Sequence, residues 1–407
     1  MTSEVVLLVK TSYYHDTVEW IEWYKKLGFD HITIYDNEST IDFNTIIANY
    51  SDYVTYNKIV GFPDQLNLEL QHYKQCKYNY VFFADADEFL WIDPKYKNIN
   101  EYLDTPYVSA VSNVTNGLLL ALKALNISGD VVTSPYSFVA TENVLRWLNL
   151  NPIMVDTDEF GNIDPDKIEQ AITKNTTAIL PIHVYGRPCD TEKIQNIADK
   201  YNLKVIYDAA HAFGVKVNFG DISVISMHAT KVFNTCEGGI IISKTAEIKK
   251  KIDLLRNFGI EDEETVSEYG INAKLDEIRA AIGILNLKTI DSDIMERKTI
   301  FEKYKTGLKD VPGIRTLDNS YNGSYFPIFI DEKLYGHNRD YLYEMFKSEG
   351  ILSRKYFYPI RHKLEISSRL SNTVLCLPIY PGLEDITIDK IVNLIKIRYF
   401  NIIEYVY

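Results

Sequence analysis

The chain has 407 residues, 46% of them hydrophobic and 24% charged, enough to bury the cores of roughly two or three domains. Its formal net charge of -13 argues against nucleic acid as a general partner, because binding a phosphate backbone needs a basic face. The four cysteines, Cys76, Cys189, Cys236 and Cys376, stand far apart with no CxxC pair, which predicts neither a disulfide framework nor a zinc site.

The N-terminus, Met1-Thr2-Ser3-Glu4, has no basic region and no long apolar run behind it. No signal peptide is expected, no apolar run approaches a membrane span, and the expected location is the cytoplasm. Val5 to Lys10 reads as a buried strand. Asp16-Thr17-Val18-Glu19 has the form of a capped helix start, and Trp20, Trp23, Tyr24 and Leu27 then recur at helical spacing. His31 to Tyr35 is a second strand ending in Asp36-Asn37. A polar helix is predicted near 66–78, and Tyr80 to Ala84 is a third strand ending in Asp85-Ala86-Asp87-Glu88. The turn-rich stretch from Asp93 to Asn100 is the expected boundary of this first region.

Beyond it the alternation of strand and helix restarts. A helix at 116–126 carries Leu118, Ala121, Leu122 and Leu125 on one face. Strands are predicted near 131–134, 153–155, 178–182, 204–207, 222–226 and 239–243, with helices between them. That rhythm implies a mostly parallel sheet covered on both faces. From about 290 a long helix is followed by strand-rich segments near 325–330 and 351–358 and a last helix near 386–398, which reads as a smaller α+β domain. The expected domains are therefore 1–97, 98–290 and 291–407.

Lys231 lies between the strand at 222–226 and the Gly238-Gly239 turn into the next strand. That places an amine at the mouth of an α/β sheet, where ligands bind. Such an amine can condense with an aldehyde cofactor, the chemistry of pyridoxal phosphate (PLP), although a lone lysine is more often a solvated surface charge. Asp208 ends the strand Lys204 to Tyr207, where it would pair with the ring nitrogen of PLP or simply cap the next helix. Ser112 to Gly117 precedes the helix at Leu118, and free N–H groups at a helix start attract a phosphate. Thr115, Asn116 and Ser226 would add polar groups there, with plain N-capping as the ordinary alternative. Phe138 would stack on a ring or belong to the core.

In order and spacing these residues resemble the DegT/DnrJ/EryC1/StrS sugar aminotransferases over about residues 100–400. Asp208-Ala209-Ala210-His211-Ala212-Phe213-Gly214 resembles the family's strand-end motif, and Ser226 through Gly239 its lysine motif. Pro181-Ile182-His183-Val184-Tyr185-Gly186 and Gly270-Ile271-Asn272-Ala273-Lys274 are similar to further family segments. The resemblance implies fold type I of the PLP-dependent transferases, with a mostly parallel large domain and a small α+β C-terminal domain. It implies Lys231 and Asp208 as catalytic groups, and His211 and Asn272 as further cofactor contacts, Asn272 reaching the neighbouring subunit of a homodimer. It implies His183, His228 and Lys274 as substrate contacts. The implied reaction transfers nitrogen, typically from glutamate, to a keto sugar carried on a nucleotide. Lys231 moves the proton, and a 4-keto-6-deoxyhexose is the expected acceptor. Three departures from the family stand out: Val114 where a Gly is usual, a short hairpin after Gly214, and an N-terminal arm of which only Ile99 to Leu103 matches.

Residues 1–97 resemble the start of a family-2-like glycosyltransferase of the GT-A fold. Asp85 and Asp87 match its DxD motif, which implies a Mn²⁺ or Mg²⁺ ion bridging a nucleotide diphosphate. The resemblance stops near 95, before an acceptor site. Two other readings stay open at this point: a glycosyltransferase or nucleotide-sugar-binding protein with an aminotransferase scaffold, and a sensor that keeps the fold without its chemistry.

Overall fold

The computed structural model describes residues 99–216 and 220–406 and, before them, residues 3–9, 21–22, 25, 30–37, 43–59 and 80–83. The chain divides into two units, Met1–Asn98 and Ile99–Tyr407.

The first unit holds strands β1 (Ser3–Val9), β2 (His31–Asn37), β3 (Val54–Ile59) and β4 (Tyr80–Phe83). They form a parallel sheet in the order β3-β2-β1-β4. Parallel neighbours need crossover connections, and the helix Phe43–Tyr50 lies on the one between β2 and β3. Ile32, Ile34 and Val54 are buried, and so is Ile21, which is helical within the stretch read as the Trp20 to Leu27 helix. The predicted helix near 66–78 and the two DxD carboxylates, Asp85 and Asp87, lie outside the described residues.

The second unit is built on a seven-stranded sheet. Its strands are β5 (Val108–Val111), β6 (Asp130–Thr133), β7 (Asn151–Met154), β8 (Thr176–Leu180), β9 (Lys204–Asp208), β10 (Ile222–Ser226) and β11 (Gly239–Ser243). The order is β5-β11-β10-β9-β8-β6-β7, parallel except that β11 runs against both β10 and β5. Side chains along these strands point alternately into two different cores. Val132, Ile179, Val205, Ile225 and Ile240 face one, and Val131, Ala178, Ile206, Val224 and Ile241 the other. Burial on both faces explains why the strands read as continuous apolar runs. Strand β5 is not anticipated by the sequence pattern, because four residues containing a polar Ser109 give too little of one; that hydroxyl is satisfied by donating to Asp253.

The helix Val114–Ala124 begins two residues earlier than 116 and four before Leu118, because the Asn113 side chain caps it by accepting from the Asn116 N–H at 2.8 Å. Thr115 and Asn116 therefore belong to its first turn. Gly117 lets this helix settle on the sheet, since a Cβ there would stand 2.6 Å from Val224 Cγ1.

A two-stranded hairpin, β12 (Ile260–Asp262) and β13 (Thr265–Val266), precedes the helix Glu277–Asn286. The long helix Ile290–Leu308 then leads to an antiparallel sheet of β14 (Ile314–Thr316), β15 (Phe326–Ile330) and β16 (Val374–Leu377), in that order. The predicted strand at 351–358 is not one. Only Arg354 pairs there, exchanging both backbone hydrogen bonds with Cys376. Tyr358-Pro359 closes that segment with a residue that has no N–H to give to a ladder, and the third strand of the sheet is β16 instead. The helix Asp385–Val406 packs Ile388, Ile391 and Ile395 into the core of this small sheet. Among the described residues no helix is long and apolar enough to cross a membrane.

Candidate active site

Asp208 is the last residue of β9, and the loop after β10 carries Lys231. Both stand at the carboxyl edge of the sheet, the edge where such folds bind ligands. The Lys231 loop is closed by its own backbone: Met227 N–H donates to Gly238 O, Ala229 N–H to Cys236 O and Thr235 N–H to Met227 O. Gly239, at its end, lies so near the start of the Val114–Ala124 helix that a Cβ would stand 3.0 Å from the Asn113 carbonyl carbon. The lysine loop and the anion-attracting helix start therefore share one corner of the fold.

Asp208 is buried and its two oxygens are separately held. Thr141 Oγ1 donates to Oδ2 at 2.7 Å and the Ala210 N–H donates to Oδ1 at 3.1 Å. Burial raises its pKa, while these two bonds and the nearby Lys231 charge pull against that rise. Lys231 is perturbed in the complementary way: burial pushes its amine down to about 8, and Asp208 opposes the shift. The amine donates to the Tyr325 hydroxyl at 2.9 Å.

His211 sits in the loop after β9. Its Nδ1 accepts from the Tyr185 N–H at 3.1 Å, which puts the ring proton on Nε2. Burial, and then the Lys231 charge, hold its pKa well below the usual imidazole range, so the ring is neutral. It stacks parallel to Phe357 at 5.8 Å and lies 4.7 Å from the Tyr325 ring. Asn322 Nδ2 donates to both the His211 and Phe213 carbonyls, and Ser324 Oγ donates to the His211 carbonyl. Tyr102, within the Ile99 to Leu103 segment, stacks on Phe213 at 5.2 Å.

The remaining predicted residues fall into four groups. Ser226 is buried and accepts from the His228 N–H, Thr115 is exposed, and Asn116 donates its amide to Ser112. Phe138 is 60% exposed, with an open ring rather than a core position. On the solvent side, His228 pairs with Thr230 and Glu237, and Lys274 donates to Asn257. Asn272 is exposed beside Lys274, and Ala273 between them accepts from the Ser112 N–H, so this segment borders the same corner. His183, expected as a substrate contact, differs from these in its burial. It is fully buried, stacked on Tyr207 at 4.6 Å, with Nδ1 accepting from the Cys189 N–H. Burial pushes its pKa down to about 3.

Two contributors, Thr141 and Tyr325, are not among the residues singled out in the sequence. No motif or spacing announces either. Thr141 is one hydroxyl in a helix start, and Tyr325 stands at the mouth of β15, 94 residues from Lys231.

PLP makes three demands on this arrangement. It needs an amine for its aldehyde, and Lys231 offers one that is substantially neutral near pH 8. It needs an anion for its ring nitrogen, and Asp208 is a buried carboxylate with unused lone pairs and a pKa that a cation would lower again. It needs an anion site for its phosphate, and the Val114–Ala124 helix start is in the same corner. The donor set fits. No group of His, Cys, Asp and Glu suited to a metal ion occurs among the described residues.

Comparison with known proteins agrees with this geometry. The model of the DegT/DnrJ/EryC1/StrS aminotransferase family matches residues 96–396, and that of glycosyltransferase family 92 matches residues 8–117. A dTDP-4-amino-4,6-dideoxy-D-glucose transaminase of Escherichia coli is 45% identical over 322 residues, covering 72% of this chain and 86% of the relative. A crystal structure of DesI with its TDP-sugar product has a TM-score of 0.71 at 32% identity, covering 74% of this chain and 82% of DesI. NtdA from Bacillus subtilis, solved with bound cofactor PMP, has a TM-score of 0.69 at 29% identity, covering 74% of this chain and 75% of NtdA. The family read from the motifs between Asp208 and Gly239 is the one whose model matches.

Proposed function

The chain belongs to the DegT/DnrJ/EryC1/StrS aminotransferase family and is a PLP-dependent sugar-nucleotide aminotransferase, and from this we propose that it carries an amino group from glutamate to the C4 carbonyl of a 4-keto-6-deoxyhexose nucleotide. The Escherichia coli relative, whose name specifies a 4-amino-4,6-dideoxy sugar on dTDP, supports this acceptor. One observation carries the reading: a lysine amine made partly neutral by burial, in the field of a buried carboxylate at the sheet mouth.

When bound, PLP supplies an aldehyde that takes up the amino group and a ring that withdraws electrons from the neighbouring carbon. Asp208 would hold the ring nitrogen protonated, with Thr141 and the Ala210 N–H fixing the carboxylate's orientation. Lys231 would take the aldehyde at rest and, once free, act as the base and acid that moves the proton at the substrate carbon. A pKa of about 8 suits that double duty, because both protonation states are populated near neutral pH. His211 would lie against the ring, and Thr115, Asn116 and Ser226 would hold the phosphate at the helix start.

A homodimer belongs to the same reading, with Asn272 facing the partner's cofactor. Exposed apolar residues around it support a covered surface: Phe258, Val266, Tyr269, Ile271 and Ile278. In the first unit, a cation on Asp85 and Asp87 is the corresponding proposal for a nucleotide-sugar site.

The test is direct. Purified protein supplied with PLP should be yellow, and borohydride should fix the cofactor on the tryptic peptide containing Lys231. A panel of keto sugar nucleotides with glutamate then identifies the acceptor. A colourless protein, or label on any other lysine, refutes the assignment.

A further inference from the structure

Tyr325 has no place in the roles assigned so far, yet its hydroxyl is the one hydrogen-bond partner of the Lys231 amine found among the described residues. Two elements far apart in sequence fix that contact. The 320–324 turn is anchored to the loop after β9 through Asn322 and Ser324, both bonded to the His211 carbonyl. Ser324 is itself braced by Asn322, whose Oδ1 accepts from its N–H at 3.0 Å. The Tyr325 ring is then caged by His211 at 4.7 Å, Tyr185 at 5.7 Å and Tyr356 at 5.6 Å. A side chain gripped this way has one position for its oxygen.

We infer that Tyr325 is a positioning residue for the transamination: its hydroxyl holds the Lys231 amine nitrogen in one place for proton transfer. This rests on Lys231 being the proton-moving group. An amine on a four-carbon stem has many rotamers, and a fixed acceptor removes most of them. The charged amine gives one N–H to the phenol oxygen, and that bond fixes where the nitrogen stands.

The acceptor must be neutral for this to work. A phenolate beside Lys231 would lock the amine as ammonium and end its service as a base. Burial, then the neighbouring Tyr356 and Cys376, hold the Tyr325 phenol well above its ordinary pKa, against the Arg297 charge. Asp208 and His211 are the other titratable groups whose charge bears on the pair, and of these His211 is neutral and only Asp208 favours the ammonium. Tyr325 therefore orients the amine without adding a charge.

The experiment compares wild-type protein with Tyr325→Phe, which keeps the ring and its packing. In cofactor-free protein, the pH midpoint for acetylation of Lys231 by acetic anhydride, read by peptide mass spectrometry, reports the amine's own ionisation. Loss of the acceptor should move that midpoint down by about one pH unit, a tenfold change in the ionisation constant. In the PLP-loaded enzyme, kcat should fall about tenfold or more while KM for the keto sugar nucleotide stays within about twofold. If Tyr325→Phe fails to fold, 4-methylphenylalanine placed at 325 fills the same volume without an oxygen, and the same downward shift is expected. An unmoved or raised midpoint overturns the inference, and so does an unchanged kcat. Borohydride labelling of the wild type fails or succeeds separately, so loss of the Lys231 assignment is distinguishable from loss of the Tyr325 role.

Discussion

Thr141→Val isolates the hydrogen bond that steadies Asp208. Valine has nearly the shape of threonine, so the change removes a 2.7 Å bond to Oδ2 and little packing. A bond to a buried charged acceptor contributes about 1.5–3 kcal/mol, which corresponds to about one to two pH units on the carboxylate. Asp208 already has a pKa raised by burial, so its charge destabilises the fold at high pH, and that destabilisation is relieved as pH falls through the folded-state value. Thr141 offsets part of it only while the carboxylate is charged. The variant should therefore lose about 1.5–3 kcal/mol at pH 8 to 9, and the loss should shrink toward about 1 kcal/mol or less once Asp208 is protonated. Hydrogen exchange of cofactor-free protein, followed in peptides spanning 204–213, measures this opening energy apart from residues 1–98. A loss that stays constant with pH, or grows as pH falls, would refute the claim that Thr141 acts through the Asp208 charge.

Three further outcomes follow from the same structure. Gly117→Val should lower stability by about 1–3 kcal/mol, seen as a lower melting temperature, because even a Cβ stands 2.6 Å from Val224 Cγ1. Asn322→Ala should cost about 1–3 kcal/mol and strip exchange protection from residues 211–213, since it frees one bond to each of two buried carbonyls. Glu142 is held below the usual carboxylate range: burial would raise it, but His362, then Arg361 and Arg146, more than offset that. Its contribution is present above the unfolded carboxyl pKa and lost as pH falls through the folded value, so Glu142→Gln should destabilise more at pH 7 than at pH 3. An equal loss at both pH values would remove the ion pairs from that account.

Much of the site was legible because the chain writes it in short local runs. Asp208 and Lys231 each end a strand or follow one, and an apolar strand bounded by polar residues announces its own end. The helix start at 114–117 was visible for the same reason, although the Asn113 cap set its boundary earlier than the apolar face suggested. The buried state of His183 was not legible. Its motif lies at a strand end like the others, and only the Tyr207 ring and the Cys189 N–H enclosing it decide that it stays inside. The strand expected at 351–358 shows the converse, a β-like run whose ladder partner lies elsewhere, leaving Arg354 alone to pair.

The sequence by itself determined which residues could react: an amine, a carboxylate, an imidazole and a helix start, each fixed by residue type and the end of a local element. The tertiary structure decided their ionisation and aim. Burial sets the Lys231 amine near 8 and raises Asp208, and burial is a property of the assembled sheet, not of any segment. The partners that orient the pair, Thr141 on Asp208 and Tyr325 on Lys231, come from 67 and 94 residues away along the chain. A hydrogen bond needs its atoms within about 3 Å, and across such separations only the folded chain can set that distance.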